Sequence, residues 1–405
     1  MKHLGIKAAL FLNYFVFAAL LNSVGILVER SQTIYGVAKP EAAVLELFKD
    51  LTIAFVSFLV GSILPKLGYK KAMLIGLAIV FFGCIGMYYG NSFWSVKLLF
   101  LCTGMSFAIV KVSVYALIGY VTDSKKGHSL LMSWVETIFM VGIIFMYLVF
   151  PLFYDDTDPN GWLRGYVLMA FIILISFFIL LFSKFDISVE RSNSSIREDI
   201  LKMLQLFTKP TIWIFALFAF FYVMTEQGIM TWLPTFNKDI LHITPKLATQ
   251  MAVILMSSFA IGRFLTGLLV KYIKWIYIAI SGLILAAILV VLVLPMANQV
   301  DNNTINTVAE LPLVSFLFPL IGLFLAPLYP LVSSTVLSST KKEEHSALAG
   351  ILTFSSAIGG TLGSLIIGYL FDVLGGNKVF YLSLLPMSII LIALFFLNRL
   401  TSKEV

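Results

Sequence analysis

The chain has 405 residues, of which 60% are hydrophobic and only 12% are charged, about half the charged share of a soluble domain. That composition excludes a single water-soluble core and leaves no soluble catalytic domain. A formal net charge of +7 would fit a nucleic-acid partner only on a soluble basic module; none exists here, so no nucleic-acid partner is expected.

A helix that crosses the hydrocarbon core needs about 20 mainly apolar residues, because the core is roughly 30 Å thick. Apolar windows between charged or turn-rich breaks predict helices over 5–28, 43–66, 71–91, 95–121, 127–153, 163–184, 210–236, 243–273, 275–297, 312–339, 345–371 and 377–399. The first window is too long for a signal peptide and no small-residue cleavage site follows it, so it reads as an uncleaved span. The stretch from Lys184 to Lys209, with Asp186, Glu190, Arg191, Arg197, Glu198 and Asp199, is the only long polar connection. The expected organisation is an N-terminal six-helix bundle over 1–184, a cytoplasmic linker over 185–209 and a C-terminal six-helix bundle over 210–405. Cys84 and Cys102 lie inside apolar stretches and suggest neither a disulfide nor a metal cluster.

Lys and Arg sort unevenly between the two sides. With the N-terminus inside, 18 fall on the cytoplasmic side and seven outside, the latter being Arg30, Lys39, Lys97, Arg164, Lys238, Lys246 and Lys378; Lys49, Lys111 and Arg263 stay within the spans, which accounts for all 28. This predicts a multi-pass cell-membrane protein with both termini cytoplasmic. Lys-rich loops suggest a bacterial inner membrane.

The halves echo each other. Gly61-Ser62-Ile63-Leu64-Pro65-Lys66-Leu67-Gly68-Tyr69-Lys70-Lys71 ends the second span, and Gly267-Leu268-Leu269-Val270-Lys271-Tyr272-Ile273-Lys274 ends the eighth. Internal duplication is typical of secondary transporters, whose site lies between repeats.

Over its whole length the chain resembles the major facilitator superfamily. The Gly61 to Lys71 stretch is similar to the family's loop between helices two and three, with Pro65, and Lys271 in the second half, at the usual acidic position. Tyr222-Val223-Met224-Thr225-Glu226-Gln227-Gly228 followed by Thr231-Trp232-Leu233-Pro234, together with Gly262-Arg263-Phe264 and Ala326-Pro327-Leu328-Tyr329-Pro330, resembles the fucose, glucose and galactose proton-symporter branch. The proton-handling acids typical of that branch in helices one and four are replaced by Asn13, Asn22 and Lys111. The resemblance implies an all-α membrane protein with 12 transmembrane helices in two six-helix pseudo-symmetric bundles. It also implies a cavity lined by helices one, four, seven and ten, and helices five and eight packed together.

A charged side chain in the bilayer costs at least about 2.5 kcal/mol, so each one present is expected to face a cavity or a partner. The candidates are Glu46, Lys49, Asp50, Lys111, Glu136, Glu226 and Arg263. At about 1.5 Å per residue, Lys111, Glu136 and Arg263 all lie roughly 14–15 Å from the cytoplasmic edge, a layer of net charge +1 that suits an anionic substrate or a proton-labile ion pair. Asp50 and Glu226 lie higher, roughly 24 Å from that edge. Glu226, read as unpaired, is the foremost candidate for coupling or substrate contact, and Glu136 and Asp50 are further proton-coupling candidates.

Trp134, Trp232, Tyr115, Tyr222 and Tyr329 are candidates for stacking a sugar ring, and Asn13, Asn22 and Gln227 for binding hydroxyls, although each of these residue types also serves helix packing. The run Ser355 to Ser364 is expected to pack closely on a neighbour. Pro234, Pro327 and Pro330 are expected to interrupt their helices. There is no phosphate-binding loop, the four His lie at helix ends or in loops, and no cofactor or metal is expected. The predicted function is secondary transport of a small polar solute by alternating access, most simply a sugar with a coupling proton, by a monomer in the lipid bilayer. The alternative is an organic-anion or acidic-sugar carrier using Lys111 and Arg263. A receptor or intramembrane enzyme is a third, weaker reading.

Overall fold

The computed structural model describes residues 4–23, 27, 31, 34–37, 39–153, 158, 160–183, 196–300 and 304–401. The part of the predicted first span at 24–26 and 28, the linker residues 185–195 and the side chain of Glu46 lie outside the described residues.

The described residues are helical almost throughout: α1 (Leu4–Leu21), α2 (Lys39–Leu67), α3 (Tyr69–Gly90), α4 (Phe93–Val121), α5 (Lys125–Val149), α6 (Arg164–Phe182), α7 (Pro210–Asp239), α8 (Pro245–Leu269), α9 (Trp275–Ala297), α10 (Val314–Ser339, in three pieces), α11 (His345–Leu374) and α12 (Leu384–Thr401). Eleven are long and apolar enough to cross a membrane, and Gly5–Leu21 is a shorter apolar helix. The helices start and stop where local chemistry satisfies their ends. Ser92 caps α4 by accepting from Ser95 N at 3.3 Å, while Ser95 Oγ accepts from Ser92 N at 3.0 Å. Pro245 opens α8 at a position whose N–H would have no helical partner.

The residues group into two compact units. Unit 1 comprises Met1–Asp123, Ile138–Lys209 and Thr340–Phe354; unit 2 comprises Ser124–Thr137, Pro210–Ser339 and Ser355–Val405. In unit 1, α1 packs on α4 and α6, α2 on α4, and α3 on α4 and α6. In unit 2, α7 packs on α8, α10 and α12, α8 on α10, and α9 on α10 and α12. Apart from the α7–α8 contact, each pairing in unit 2 matches one in unit 1 six helices earlier, so the faint sequence echo is a repeated packing scheme. Large side chains such as Phe82, Trp94, Phe171, Trp213 and Phe395 remain exposed along the spans, which suits a lipid surround, where apolar side chains meet hydrocarbon and helices satisfy most backbone groups internally.

The prolines differ from expectation. Pro234 lies inside α7 without ending it, since one missing N–H removes a single rung of the ladder. Pro327 does coincide with a break, between Ile321–Leu325 and Leu328–Ser339, and Pro330 sits in the first turn after it.

Candidate functional site

Unit 2 carries a buried charge cluster built from three helices. Arg263 on α8 donates from Nη1 to Glu136 Oε2 of α5 at 2.9 Å and from Nη2 to Glu226 Oε1 of α7 at 2.6 Å. Exposures of 2%, 4% and 8% for Arg263, Glu136 and Glu226 place all three away from bulk water. Tyr222, one turn before Glu226, donates its hydroxyl to the same Oε1 at 3.3 Å. One guanidinium between two carboxylates leaves net charge −1, and Arg suits this place because its planar fork can bind two acids at once. Gly262 lets α8 approach α10 at this level: a Cβ there would lie 2.5 Å from Leu323 O and 2.7 Å from Ala326 Cβ. Leu323 O is the carbonyl that Pro327, lacking an N–H, leaves without its usual helical bond.

This arrangement corrects two expectations. Glu226 is not unpaired, and the layer described in unit 2 is Glu136, Arg263 and Glu226 with one negative charge in excess. Counting rise per residue placed Glu226 above Arg263, but it measures only backbone height, and two long side chains close the remaining gap. Lys111 belongs to unit 1, where its ammonium lies 5.5 Å from the centroid of Phe107 and 5.7 Å from that of Tyr115, the geometry of a cation on aromatic faces. Tyr115 also stacks on Tyr14 at 6.3 Å.

Aromatic rings flank the cluster. Tyr222 lies 5.4 Å from Tyr329, whose hydroxyl meets Ser356 Oγ at 3.1 Å. Trp134 stacks on Phe264 at 6.4 Å with 13° between the planes. The indole N–H of Trp134 and Nε of Arg263 are buried donors with no acceptor among the described residues.

Comparison with known proteins agrees with this architecture. The family model of the Major Facilitator Superfamily matches residues 8–309. The chain belongs to the Major Facilitator Superfamily. Among curated relatives, it is 19% identical over 398 residues to a TsgA homolog of Buchnera aphidicola, covering 97% of this chain and 95% of that protein. Among solved structures, it superposes on FucP, the E. coli fucose:proton symporter, in the outward conformation with a TM-score of 0.80 at 15% identity, covering 98% of this chain and 99% of that one. The human organic anion transporter MFSD10 gives a TM-score of 0.78 at 16% identity, covering 98% and 100%. The chain is therefore a multi-pass membrane transporter of this superfamily and not an enzyme.

Against the superfamily fold, the remaining candidates divide. Asn13 is buried and accepts from Ser176 Oγ at 3.0 Å, joining α1 to α6. Asn22 bonds Ala18 O of its own helix at 2.9 Å. Trp232 donates Nε1 to Ser364 O at 2.8 Å and stacks on Phe371, tying α7 to α11. Gln227, half-buried, donates to Thr231 Oγ1 at 3.2 Å. Asp50 pairs with Lys49 at 3.3 Å on α2. Sequence reasoning missed Phe259, whose ring centroid lies 5.7 Å from the Arg263 guanidinium, and Ser356. Phe259 had a signal: it precedes Arg263 by four residues, one helical turn on the same face.

Proposed function

We propose that this superfamily transporter is a proton-coupled carrier of a small neutral sugar, working by alternating access between its halves, 1–184 and 210–405, as a monomer in a bacterial inner membrane. The observation that carries the proposal is the single buried Arg263 shared by two carboxylates. Protonating Glu226 or Glu136 removes one of the two ion pairs and brings the cluster from −1 to neutrality, so proton uptake changes the bonds between α5, α7 and α8. Tyr222, Tyr329 and Trp134 offer ring faces for a sugar, and the unaccepted N–H groups of Trp134 and Arg263 suit hydroxyl oxygens. The resemblance to the fucose:proton symporter supports the same reading.

The test is uptake into proteoliposomes of neutral hexoses and pentoses, fucose included, under an inward proton gradient. Accumulation above equilibrium that collapses with a protonophore is expected; no uptake of any sugar at any gradient would overturn the reading. A second reading, transport of an organic anion, is favoured by Lys111 over two aromatic rings and by the likeness to MFSD10. It predicts uptake of organic acids that Lys111→Gln abolishes. Arg263 serves that reading less well than expected, because two carboxylates already neutralise it.

A further inference from the structure

Unit 2 holds a second polar feature, away from the charge cluster. Where α5, α9 and the ends of α8, α10 and α12 come together, a cavity of about 510 Å³ opens at one end of the unit. Lys125, Lys126 and Lys274 line it together with hydroxyl residues such as Ser129, Ser338 and Thr401, and no acidic side chain lines it among the described residues. Lys126 Nζ donates to Lys271 O at 2.9 Å, which fixes one of its three donors and ties the start of α5 to the α8–α9 turn. Lys125 and Lys274 are exposed and have no ion-pair partner among the described residues.

The rim has a second character. The turn reads Lys271-Tyr272-Ile273-Lys274-Trp275-Ile276-Tyr277, with Tyr272 and Tyr277 exposed at 87% and 63%. Aromatic rings beside Lys at a span end mark the headgroup level of a bilayer. Three lysines line one cavity with no acidic side chain beside them among the described residues, and an anion rich in acceptor oxygens would bind there through charge-assisted hydrogen bonds. Basic pockets between membrane helices recognise phosphoryl headgroups on these grounds.

We propose that this cavity binds the phosphate group of an anionic membrane lipid, with Lys125, Lys126 and Lys274 as its cations and the Tyr272 to Tyr277 turn as its interfacial anchor. Binding there joins α5, α8 and α9 at their ends and stabilises unit 2 independently of the transported solute.

The full chain, purified in a neutral detergent, tests this by its melting temperature with dioctanoyl phosphatidylglycerol, dioctanoyl phosphatidylcholine or glycerol 1-phosphate at equal phosphate concentration. Phosphatidylglycerol is expected to raise the melting temperature and the other two to have little effect. The variant Lys125→Gln/Lys126→Gln/Lys274→Gln is expected to need about five-fold more lipid per lysine removed. An equal charge change at exposed positions outside the cavity, Lys71→Gln/Lys341→Gln/Lys342→Gln, is expected to leave the response unchanged. Should the cavity triple variant fail to fold, Lys125→Gln and Lys274→Gln alone each provide the same comparison. Stabilisation by glycerol 1-phosphate as strong as by the lipid would overturn the lipid as source. No response to phosphatidylglycerol, or an equal response in the cavity variants, would overturn the site.

Discussion

Arg263 has two acids for one cation, and that stoichiometry predicts different outcomes for its partners. Arg263→Gln leaves Glu136 and Glu226 buried without their cation, and breaking a buried pair in this way costs about 3–5 kcal/mol. A clear fall in melting temperature in detergent is expected, and an unchanged one would mean that the carboxylates find another partner. Glu226→Gln is milder. It leaves the Arg263 to Glu136 bond at 2.9 Å and a neutral pair, so stability should change by about 1 kcal/mol. Under the proposed coupling, this variant loses proton-driven accumulation yet keeps exchange of labelled for unlabelled sugar. If accumulation survives, Glu226 does not carry the proton. Residue types were legible in the sequence here, since charge inside apolar spans singles out all three members; which carboxylate Arg263 meets was not, because side-chain reach exceeds the spacing that helical rise resolves.

At the scale of helices, α7 and α11 are joined by missing side chains. A Cβ at Gly363 would collide with Met224 O, and one at Gly359 with Phe220 O, one turn away. Small residues spaced in this way allow backbones to approach where lipid offers no hydrophobic drive. Gly363→Ala is expected to lower stability by about 1–3 kcal/mol. Gly86→Ala on α3 is the control, because a Cβ there meets nothing within 4 Å, and helix propensity favours Ala by about 1 kcal/mol. Melting temperatures of the two variants check both; equal values would refute close packing at Gly363. The run Ser355 to Ser364 announced such an interface, but its partner could not be read from one helix. Pro327 and Pro234 make the same point, for only one of two similar residues sits at a break.

Across the whole molecule, the repeated packing scheme and the charge asymmetry address different questions. The scheme shows two copies of one helix arrangement. The 18 to seven division of Lys and Arg predicts which side faces the cytoplasm. A fluorescent protein fused to the C-terminus is expected to fold and fluoresce, and alkaline phosphatase fused at the same point to stay inactive. The reverse pattern would refute cytoplasmic termini.

Hydropathy by itself determined that the chain is a bundle of about a dozen membrane helices, because the bilayer sets a minimum apolar length that each window either meets or misses. It determined the duplication faintly, since lipid-facing positions accept almost any apolar residue and erase the similarity. The tertiary structure alone decided that Glu226 joins Glu136 on Arg263, that Asn13 and Trp232 bond neighbouring helices, and that Lys274 lines one cavity with the sequence-distant Lys125 and Lys126. Those facts depend on the rotation of each helix about its axis, which apolar windows leave undetermined because membrane helices are apolar on almost every face.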